Sequence, residues 1–267
     1  MTRTMNESGH RVIRAAEYDV ACVHRGSGPL VILSYVLGPP AWGTLDELAL
    51  LCTTVAVEPM RISPPERGYA WFGPLVRALG FESAALATWS LGAAAALRFA
   101  VTEPVELSSL ILVDPAGLSP TGRRFYLRPP PRSPENPTPD QIRAQVRSMS
   151  RSWVRSKKVD TTELEERHSQ LLSNPDSYEY NRRANMTAAR EMMFDDFRNV
   201  ALPTLIVSGG HSRVLGPKAA KRLALQFPNA RMEILPRSAH APQLEEPGSF
   251  ANLVGGFVKD TTRPRSG

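Results

Sequence analysis

A serine between an apolar strand and an alanine-rich helix is the first residue of this sequence that could do chemistry. Residues 84–89 are apolar and typical of a buried strand, Ser90 follows directly, and Gly92 comes two positions later. A serine at the tip of such a strand-to-helix turn is typical of a nucleophile elbow, where small neighbours permit a tight, strained backbone. Gly92 meets that demand, whereas Thr88 is bulkier than the usual glycine. The pattern predicts attack by the Ser90 hydroxyl on an acyl carbon.

A base for this serine is predicted near the end of the chain. The segment His240-Ala-Pro-Gln-Leu-Glu-Glu-Pro follows the last predicted strand, and the other histidines have no comparable setting. Together with the elbow, this segment resembles the α/β-hydrolase family, and the resemblance covers nearly the whole chain. It implies that Ser90 is the nucleophile and His240 the general base. The backbone N–H of Leu91, at the start of the following helix, is the first expected donor to an oxyanion.

The acid of the expected triad departs from the family pattern. The family usually places an Asp soon after the strand at 204–208, where this sequence has Ser212. A neutral hydroxyl does not stabilise an imidazolium as a carboxylate does, and losing that charge can cost up to about 10⁴ in rate. Asp114 is the candidate substitute, since it ends the strand expected beside 204–208 and the family includes enzymes whose acid lies there. Asp before Pro at a strand end is also ordinary turn chemistry, so both interpretations stay open.

The loop expected to supply a second oxyanion donor is also unusual. Residues 34–40 read Ser-Tyr-Val-Leu-Gly-Pro-Pro, where the family commonly has His-Gly. The backbone N–H of Val36 or Leu37 and the hydroxyl of Tyr35 are the candidate donors. The glutamate pair after His240, Glu245 and Glu246, is interpreted as beginning or capping the final helix, and both residues are weaker candidates for the triad acid by position.

Short apolar runs alternate with helical segments along the chain, which predicts an α/β fold with a mostly parallel sheet flanked by helices. The predicted strands are Arg11–Ala15, Val20–Arg25, Leu30–Val36, Thr53–Glu58, Ala84–Trp89, Ser109–Asp114, Thr204–Ser208 and Arg231–Leu235, of which the first two form a leading antiparallel hairpin. The predicted helices are Leu45–Cys52, Phe72–Leu79, Leu91–Val101, Lys218–Gln226 and Ser249–Val258.

The alternation stops between residues 119 and 199, which predicts a helical cap inserted between two parts of one core, 1–118 and 200–267. A proline-dense stretch over 129–139 opens this segment, and helices are expected near 142–153, 162–172 and 178–193. Ile142, Val146, Met149 and Trp153 share one helical face. Trp89, Met149 and Trp153 are candidate lining residues of a substrate pocket, with core packing as the alternative.

Positive charge is concentrated in the same segment. Residues 121–160 hold ten basic and three acidic side chains, against a net charge of +6 for the whole chain, so the rest is close to neutral. Arg143, Arg147, Arg151 and Arg155 recur every four residues, which is typical of a solvated helix face. The alternative is a docking face for an anionic substrate or an acidic carrier protein.

Composition limits the classes of protein to consider. The 267 residues are 42% apolar and 22% charged, which excludes a disordered or fibrous chain. No apolar run approaches the roughly 20 residues that span a bilayer, and residues 1–10 lack the apolar core of a secretory signal. Cys22 and Cys52 lie in apolar surroundings typical of buried thiols in a reducing compartment. A soluble cytoplasmic protein is expected, without nucleic acid or membrane as partner.

Three hypotheses follow from the sequence. The first is a capped serine hydrolase that cleaves an ester or thioester of a small-molecule acyl substrate, without cofactor or metal, since a Gly-rich phosphate loop and a His/Cys cluster are both missing from the sequence. The second is a non-hydrolytic relative, namely an acyltransferase, lyase or cyclising enzyme, which the altered loop at 34–40 favours. The third is a catalytically weakened binding module, which Ser212 favours. The oligomeric state is not predicted.

Overall fold

The computed structural model describes residues 11–34, 42–63, 69–102, 106–118, 138–159, 161, 162, 165 and 197–262. Within these residues, every helix is too short or too polar to cross a lipid bilayer. The predicted helices near 162–172 and 178–193 lie almost wholly outside the described residues. The boundaries predicted for the inserted segment, 119 and 199, therefore stay predictions.

In the described part of the chain, eight strands form one sheet, and six of them are parallel. The strands are β1 Arg11–Ala15, β2 Tyr18–Arg25, β3 Leu30–Ser34, β4 Thr53–Ser63, β5 Ala84–Trp89, β6 Leu107–Val113, β7 Thr204–Gly209 and β8 Ala230–Leu235. Their order across the sheet is β1-β2-β4-β3-β5-β6-β7-β8. Only the β1–β2 and β2–β4 pairs are antiparallel. The predicted α/β class with a mostly parallel sheet and a leading hairpin is confirmed.

Helices cover both faces of the sheet. They are α1 Trp42–Ala49, α2 Phe72–Ala78, α3 Gly92–Thr102, α4 Pro139–Trp153, α5 Pro217–Ala224, α6 Pro242–Glu245 and α7 Pro247–Thr262, with a 3-10 turn at Phe197–Asn199. Helices α2, α3 and α5 pack in one core cluster and α1 and α7 in the other. Alternate residues of β3 enter opposite clusters, Leu30 and Ile32 on one side and Val31 and Leu33 on the other. Burial on both faces explains why this strand is continuously apolar.

Among the strands, β4 differs most from its predicted length. It continues past Glu58 to Ser63, and its last residues pair with the start of β2 beyond a register shift between Val20 and Cys22. The sequence over 58–63 contains Pro59 and is too polar to indicate a strand. Pairing with an edge hairpin, rather than apolar periodicity, extends it.

Both cysteines are buried thiols that form no disulfide, as expected from their surroundings. Burial raises the pKa of the Cys52 thiol, and the charge of Lys259 only partly opposes that rise. A thiol with a raised pKa is a poor nucleophile at neutral pH.

Candidate active site

Ser90 stands on a strained turn between β5 and α3. Its backbone φ of 57° lies in the left-handed region, which non-glycine residues rarely adopt. Its N–H donates to the carbonyl of Val113 at 3.0 Å, and its carbonyl accepts from the N–H of Ala116, also at 3.0 Å. Both partners lie at or just beyond the end of the neighbouring strand β6, so the sheet itself fixes this turn. The predicted elbow is present, with Thr88 fully buried beside it.

Asp114 ends the next strand in a second left-handed turn. Its φ is 40°, and its N–H donates to the carbonyl of Val207 on β7 at 2.6 Å. Trp89 pairs with Val113 and Val113 pairs with Val207 in the parallel register. Consequently Ser90, Asp114 and Ser208, each one residue further along, lie side by side at the carboxyl edge of the sheet.

The structure brings three of the predicted catalytic residues together in a hydrogen-bonded chain. Ser90 Oγ lies 3.0 Å from His240 Nε2. His240 Nδ1 lies 2.5 Å from Asp114 Oδ2. Asp114 is fully buried and His240 nearly so, whereas Ser90 is half-buried. The hydroxyl is thus the member of the chain that a ligand can approach.

Ser212 does not take the place of an acid at the imidazole. Its hydroxyl donates to Asp114 Oδ2 at 2.6 Å, and the Ser208 hydroxyl donates to Asp114 Oδ1 at 2.8 Å. The sequence places Ser212 at the position of the usual acid, and in the structure its hydroxyl contacts the Asp114 carboxylate. The carboxylate at this site comes from β6, and two neutral hydroxyls come from β7 and the turn after it.

Two glycines allow the loop that carries His240 to lie against the end of β7. A Cβ on Gly209 would come within 1.8 Å of the Ala239 carbonyl oxygen, and one on Gly210 within 2.8 Å of the Pro236 carbonyl oxygen. The N–H of Gly210 donates to the Leu235 carbonyl at 2.8 Å. A side chain at Gly209 would displace the backbone next to His240, so close approach requires glycine there.

The glutamate pair after His240 fastens this loop. Glu245 Oε2 accepts from the N–H of Ala239 at 2.6 Å, and its Oε1 accepts from the N–H groups of Arg155 and Ser156 at 2.7 and 3.0 Å. The side chain therefore joins the loop before His240 to the residues that follow α4. Such a carboxylate with several backbone donors is a strong, charge-assisted tie.

Glu246 secures the other side of the same loop. Its Oε1 accepts from the Ser238 hydroxyl at 2.6 Å and from the Arg237 N–H at 3.0 Å, and its Oε2 accepts from Arg237 Nε at 3.0 Å. Burial by itself raises the pKa of this carboxyl, but the hydrogen bonds from Ser238 and Arg237 outweigh burial and lower it. Glu246 is therefore a buried carboxylate stabilised by its donors.

Two tryptophans enclose the imidazole. Trp89 Nε1 donates to the backbone carbonyl of His240 at 2.7 Å, and the two rings lie 5.1 Å apart. Trp153, the last residue of α4, meets Trp89 edge to face with ring centroids 5.1 Å apart, and lies 6.3 Å from the His240 ring. The carbonyl of Trp153 also accepts from the Ala241 N–H at 3.1 Å. These contacts place an apolar surface directly beside the Ser90–His240 pair.

Helix α4 reaches this position from a well-defined start. Thr138, directly before Pro139, and Gln141, in the first turn, form a reciprocal capping box, which satisfies two backbone donors at the helix N-terminus. Val146 and Ser150 are fully buried. The side chain of Met149, the third predicted lining residue, lies outside the described part of the chain.

Of the candidate donors to the oxyanion, Leu91 lies within the described residues. Leu91 directly precedes α3, and the first N–H groups of a helix have no acceptor within it. The other candidate donors, Tyr35, Val36 and Leu37, lie outside the described residues. The strand leading to them ends at Ser34, whose side chain hydrogen-bonds the buried Tyr69 hydroxyl; burial raises the pKa of Tyr69 to about 12 despite this bond, so the phenol stays neutral.

The arginine row on α4 is exposed and is partly paired. Arg143 meets Asp140 on the same helix, and Arg147 Nε lies 3.5 Å from a carboxylate oxygen of Glu165. Arg151 and Arg155 are also exposed. Local ion pairs of this kind are what the solvated-face interpretation predicts.

Sequence reasoning missed three residues that shape the site, namely Ser208, Glu245 and Glu246. Ser208 was read only as part of a strand, although its place one residue after the partner of Val113 puts it beside Asp114. The sequence predicts that the glutamates begin or cap the last helix; Glu245 ends α6, and Glu246 directly precedes α7. Their spacing from His240 is the one signal that could have linked them to its loop.

Comparison with known proteins agrees with this architecture. A family model described as the alpha/beta hydrolase family matches residues 11–253. A serine hydrolase involved in carbazole degradation is 19% identical with a TM-score of 0.69, over 97% of this chain and 99% of that one. A serine hydrolase from Cycloclasticus zankles is 16% identical with a TM-score of 0.68, over 96% and 99%. A 2-hydroxy-6-oxo-6-phenylhexa-2,4-dienoate hydrolase from a Rhodococcus strain is 17% identical with a TM-score of 0.67, over 97% and 100%.

Proposed function

Because the chain belongs to the alpha/beta hydrolase family, we propose that it is a serine hydrolase that cleaves a carboxylic ester or thioester through an acyl-enzyme on Ser90. The observation that carries this proposal is the continuous chain from Ser90 Oγ through His240 to Asp114, with links of 3.0 and 2.5 Å. Two of the similar structures are named serine hydrolases, which supports the same reaction class.

The reaction begins at the Ser90–His240 contact. Ser90 Oγ forms a bond to the acyl carbon while its proton passes to His240 Nε2, and the substrate carbonyl oxygen becomes an oxyanion. The Leu91 N–H at the positive end of α3 stabilises that charge. Collapse of the intermediate breaks the bond to the alcohol or thiol, which leaves with the proton from His240.

Water then completes the cycle. His240 removes a proton from the water molecule, whose oxygen attacks the Ser90 ester, and the imidazolium returns the proton to Ser90 Oγ as the acid is released. Asp114 contributes in both halves: by accepting from Nδ1–H it leaves Nε2 free as the base, and its charge stabilises the imidazolium. Ser212 adds no charge, so Asp114 is the acid of this triad.

The acyl group is expected to be apolar. Trp89 and Trp153 present ring surface beside the imidazole, and Trp153 is only half-buried, which leaves part of its ring for a ligand. Because Trp153 ends α4 within the segment predicted as a cap, we assign the cap the role of covering the acyl chain. A small-molecule substrate with an aliphatic or aromatic acyl group fits this surface.

A fluorophosphonate probe and a series of aryl esters test the proposal. The probe should label the wild-type protein on the peptide containing Ser90, and p-nitrophenyl esters from acetate to octanoate should be hydrolysed. Ser90→Ala should abolish labelling and lower kcat by at least about 10⁴. Ser27→Ala, at an exposed turn serine, is the matched control and should behave as wild type.

The other outcomes point to the other two hypotheses. Labelling of Ser90 without turnover of esters or thioesters would favour an acyltransferase, lyase or cyclising enzyme, because the nucleophile is then active but water is not the acceptor. The failure of the probe to label a folded protein would favour a binding module. Turnover that persists in Ser90→Ala would refute the assignment of the nucleophile.

A further inference from the structure

The hydroxyl of Ser212 has its hydrogen-bond direction fixed by its own turn. Ser212 Oγ accepts from the N–H groups of Val214 and Leu215 at 3.1 and 3.4 Å. Because these donors occupy its lone pairs, the hydroxyl proton is left for the third neighbour, Asp114 Oδ2 at 2.6 Å. A carboxylate has no proton to give, so Ser212 is the donor in this contact. The turn thus presents an oriented donor to the candidate acid.

Asp114 has few other groups that stabilise its charge. It is fully buried, and among the ion pairs of the described residues its single partner is His240. Its side chain receives the His240 Nδ1–H and the two serine hydroxyls, with Ser212 and His240 both on Oδ2. A buried carboxylate without hydrogen-bond donors is strongly disfavoured. The two hydroxyls therefore supply much of what stabilises and orients the Asp114 carboxylate.

We propose that Ser212 is a positioning residue that aims Asp114 Oδ2 at His240, and that this position must carry a neutral donor. The inference rests on the proposed function, because Asp114 matters to the reaction only as the acid of the triad. This proposal differs from the interpretation of Ser212 as a lost acid. The acid of the triad, Asp114, directly follows β6, and Ser212, in the turn after β7, orients it.

The strongest consequence concerns the residue that the family usually carries here. A carboxylate at position 212 would meet Asp114 Oδ2 at hydrogen-bond distance. Two carboxylates that close do not both ionise and instead share one proton. The shared proton would occupy the oxygen that His240 Nδ1 uses. Restoring the usual Asp is therefore expected to lower activity rather than raise it.

Ser212→Asn and Ser212→Asp form a matched pair for the test. Both side chains have the same shape, and both keep an oxygen that can accept from Val214 and Leu215, so both preserve the turn. Only Asn also offers an N–H to Asp114. We expect Ser212→Asn to keep kcat for a p-nitrophenyl ester within about tenfold of wild type, since one charged hydrogen bond is retained. Ser212→Asp should fall at least about 100-fold below Ser212→Asn.

Alanine and threonine variants separate positioning from packing. Ser212→Ala should lower kcat about 10- to 100-fold with KM within about twofold, as expected for loss of a hydrogen bond to a charged group. Ser212→Thr restores the hydroxyl and should recover most of the rate. Ser208→Ala removes the donor to Asp114 Oδ1, which does not contact His240. This variant should therefore lower kcat less than Ser212→Ala does. Equal losses in the two alanine variants, or full activity in Ser212→Ala, would overturn the proposal.

A spectroscopic measurement keeps this inference independent of ester turnover. The proton on His240 Nδ1 should give a downfield ¹H NMR resonance in the wild type, assigned by its loss in His240→Gln. It should persist in Ser212→Asn and Ser212→Thr and be shifted or lost in Ser212→Asp. If no ester is hydrolysed but the resonance persists in Ser212→Asn and Ser212→Thr and is shifted or lost in Ser212→Asp, the proposed function fails and the positioning role stands. An unchanged resonance in Ser212→Asp, or a higher kcat in that variant, refutes the positioning role.

Discussion

The two end members of the Ser90–His240–Asp114 chain and its middle member are fixed by different kinds of contact. Ser90 and Asp114 directly follow adjacent parallel strands, and backbone hydrogen bonds to the next strand set both turns. His240 lies on a loop after β8, and the carboxylates of Glu245 and Glu246 fasten that loop. The strand-end region depends on the register of the sheet, whereas the loop region depends on ionised side chains. The first should resist changes that damage the second.

The strand-end region and the loop region differ in what must be disrupted before each of them opens. A strand-end turn opens only when the neighbouring strands separate, which requires loss of the buried apolar surface on both faces of the sheet. The loop opens when the hydrogen bonds that it makes to the carboxylates of Glu245 and Glu246 are lost. Substitutions in the strand-end region should therefore change the chemistry of the site, and substitutions in the loop region should change its stability and alignment.

Asp114→Asn tests the strand-end region and should have the largest effect. Asparagine keeps the shape of the side chain but neither stabilises the imidazolium nor fixes the tautomer that leaves Nε2 free. We expect kcat for an aryl ester to fall by about 10⁴, with KM little changed because Asp114 is fully buried away from the substrate. The melting temperature should stay close to wild type if the register of the sheet fixes the turn.

The control for this variant is Asp19→Asn, which breaks an exposed ion pair with Arg14 at 3.0 Å. An exposed pair contributes little, so activity within about twofold of wild type is expected. A loss of less than tenfold in Asp114→Asn would mean that the imidazole is oriented by some other group. That result would remove the contrast between the two regions.

The same contrast explains what the sequence could and could not predict. The strands that lead to Ser90 and Asp114 were predicted from apolar runs alone. Burial on both faces of the sheet produces such a continuous apolar run in the sequence. The place of Asp114 beside β7 followed from strand adjacency in a familiar fold. The contact of Glu245 with the residues after α4 was not predictable, since Arg155 and Ser156 lie far away in the sequence and offer only backbone N–H groups, which every residue except proline has. The extension of β4 to Ser63 was missed for a similar reason. It depends on pairing with β2, which the residue types over 58–63 do not indicate.

Glu246→Gln tests the loop region through stability. The neutral amide cannot accept from Ser238 and both Arg237 donors as the carboxylate does, so we expect the free energy of unfolding to fall by about 2–3 kcal/mol at about pH 7. The pKa of folded Glu246 lies below its ordinary value of 4.5, so the carboxylate stabilises the fold above that pH. Its contribution is lost as the pH falls through the folded pKa. Denaturant unfolding of both proteins from neutral to acid pH should therefore show the difference between them shrinking.

Two results would count against this account of Glu246. A difference in unfolding free energy that is the same at neutral and acid pH would show that the carboxylate charge is not what fastens the loop. A comparable loss in Glu82→Gln, an exposed glutamate before β5, would show a general effect of neutralising acidic residues. The expected change in that control is within about 0.5 kcal/mol.

Glu245→Gln should have the smallest effect, and it tests whether the loop region transmits the position of α4 to His240. The carboxylate accepts from Ala239 on one oxygen and from Arg155 and Ser156 on the other. Glutamine has a single carbonyl oxygen, so one side of this tie is lost and an N–H group faces a donor. We expect kcat to fall about tenfold, as for one charged hydrogen bond, with faster hydrogen–deuterium exchange at the Arg155 and Ser156 amides if the α4 side is released. Exchange and kcat that both match Glu82→Gln would show that α4 and the catalytic loop are positioned independently.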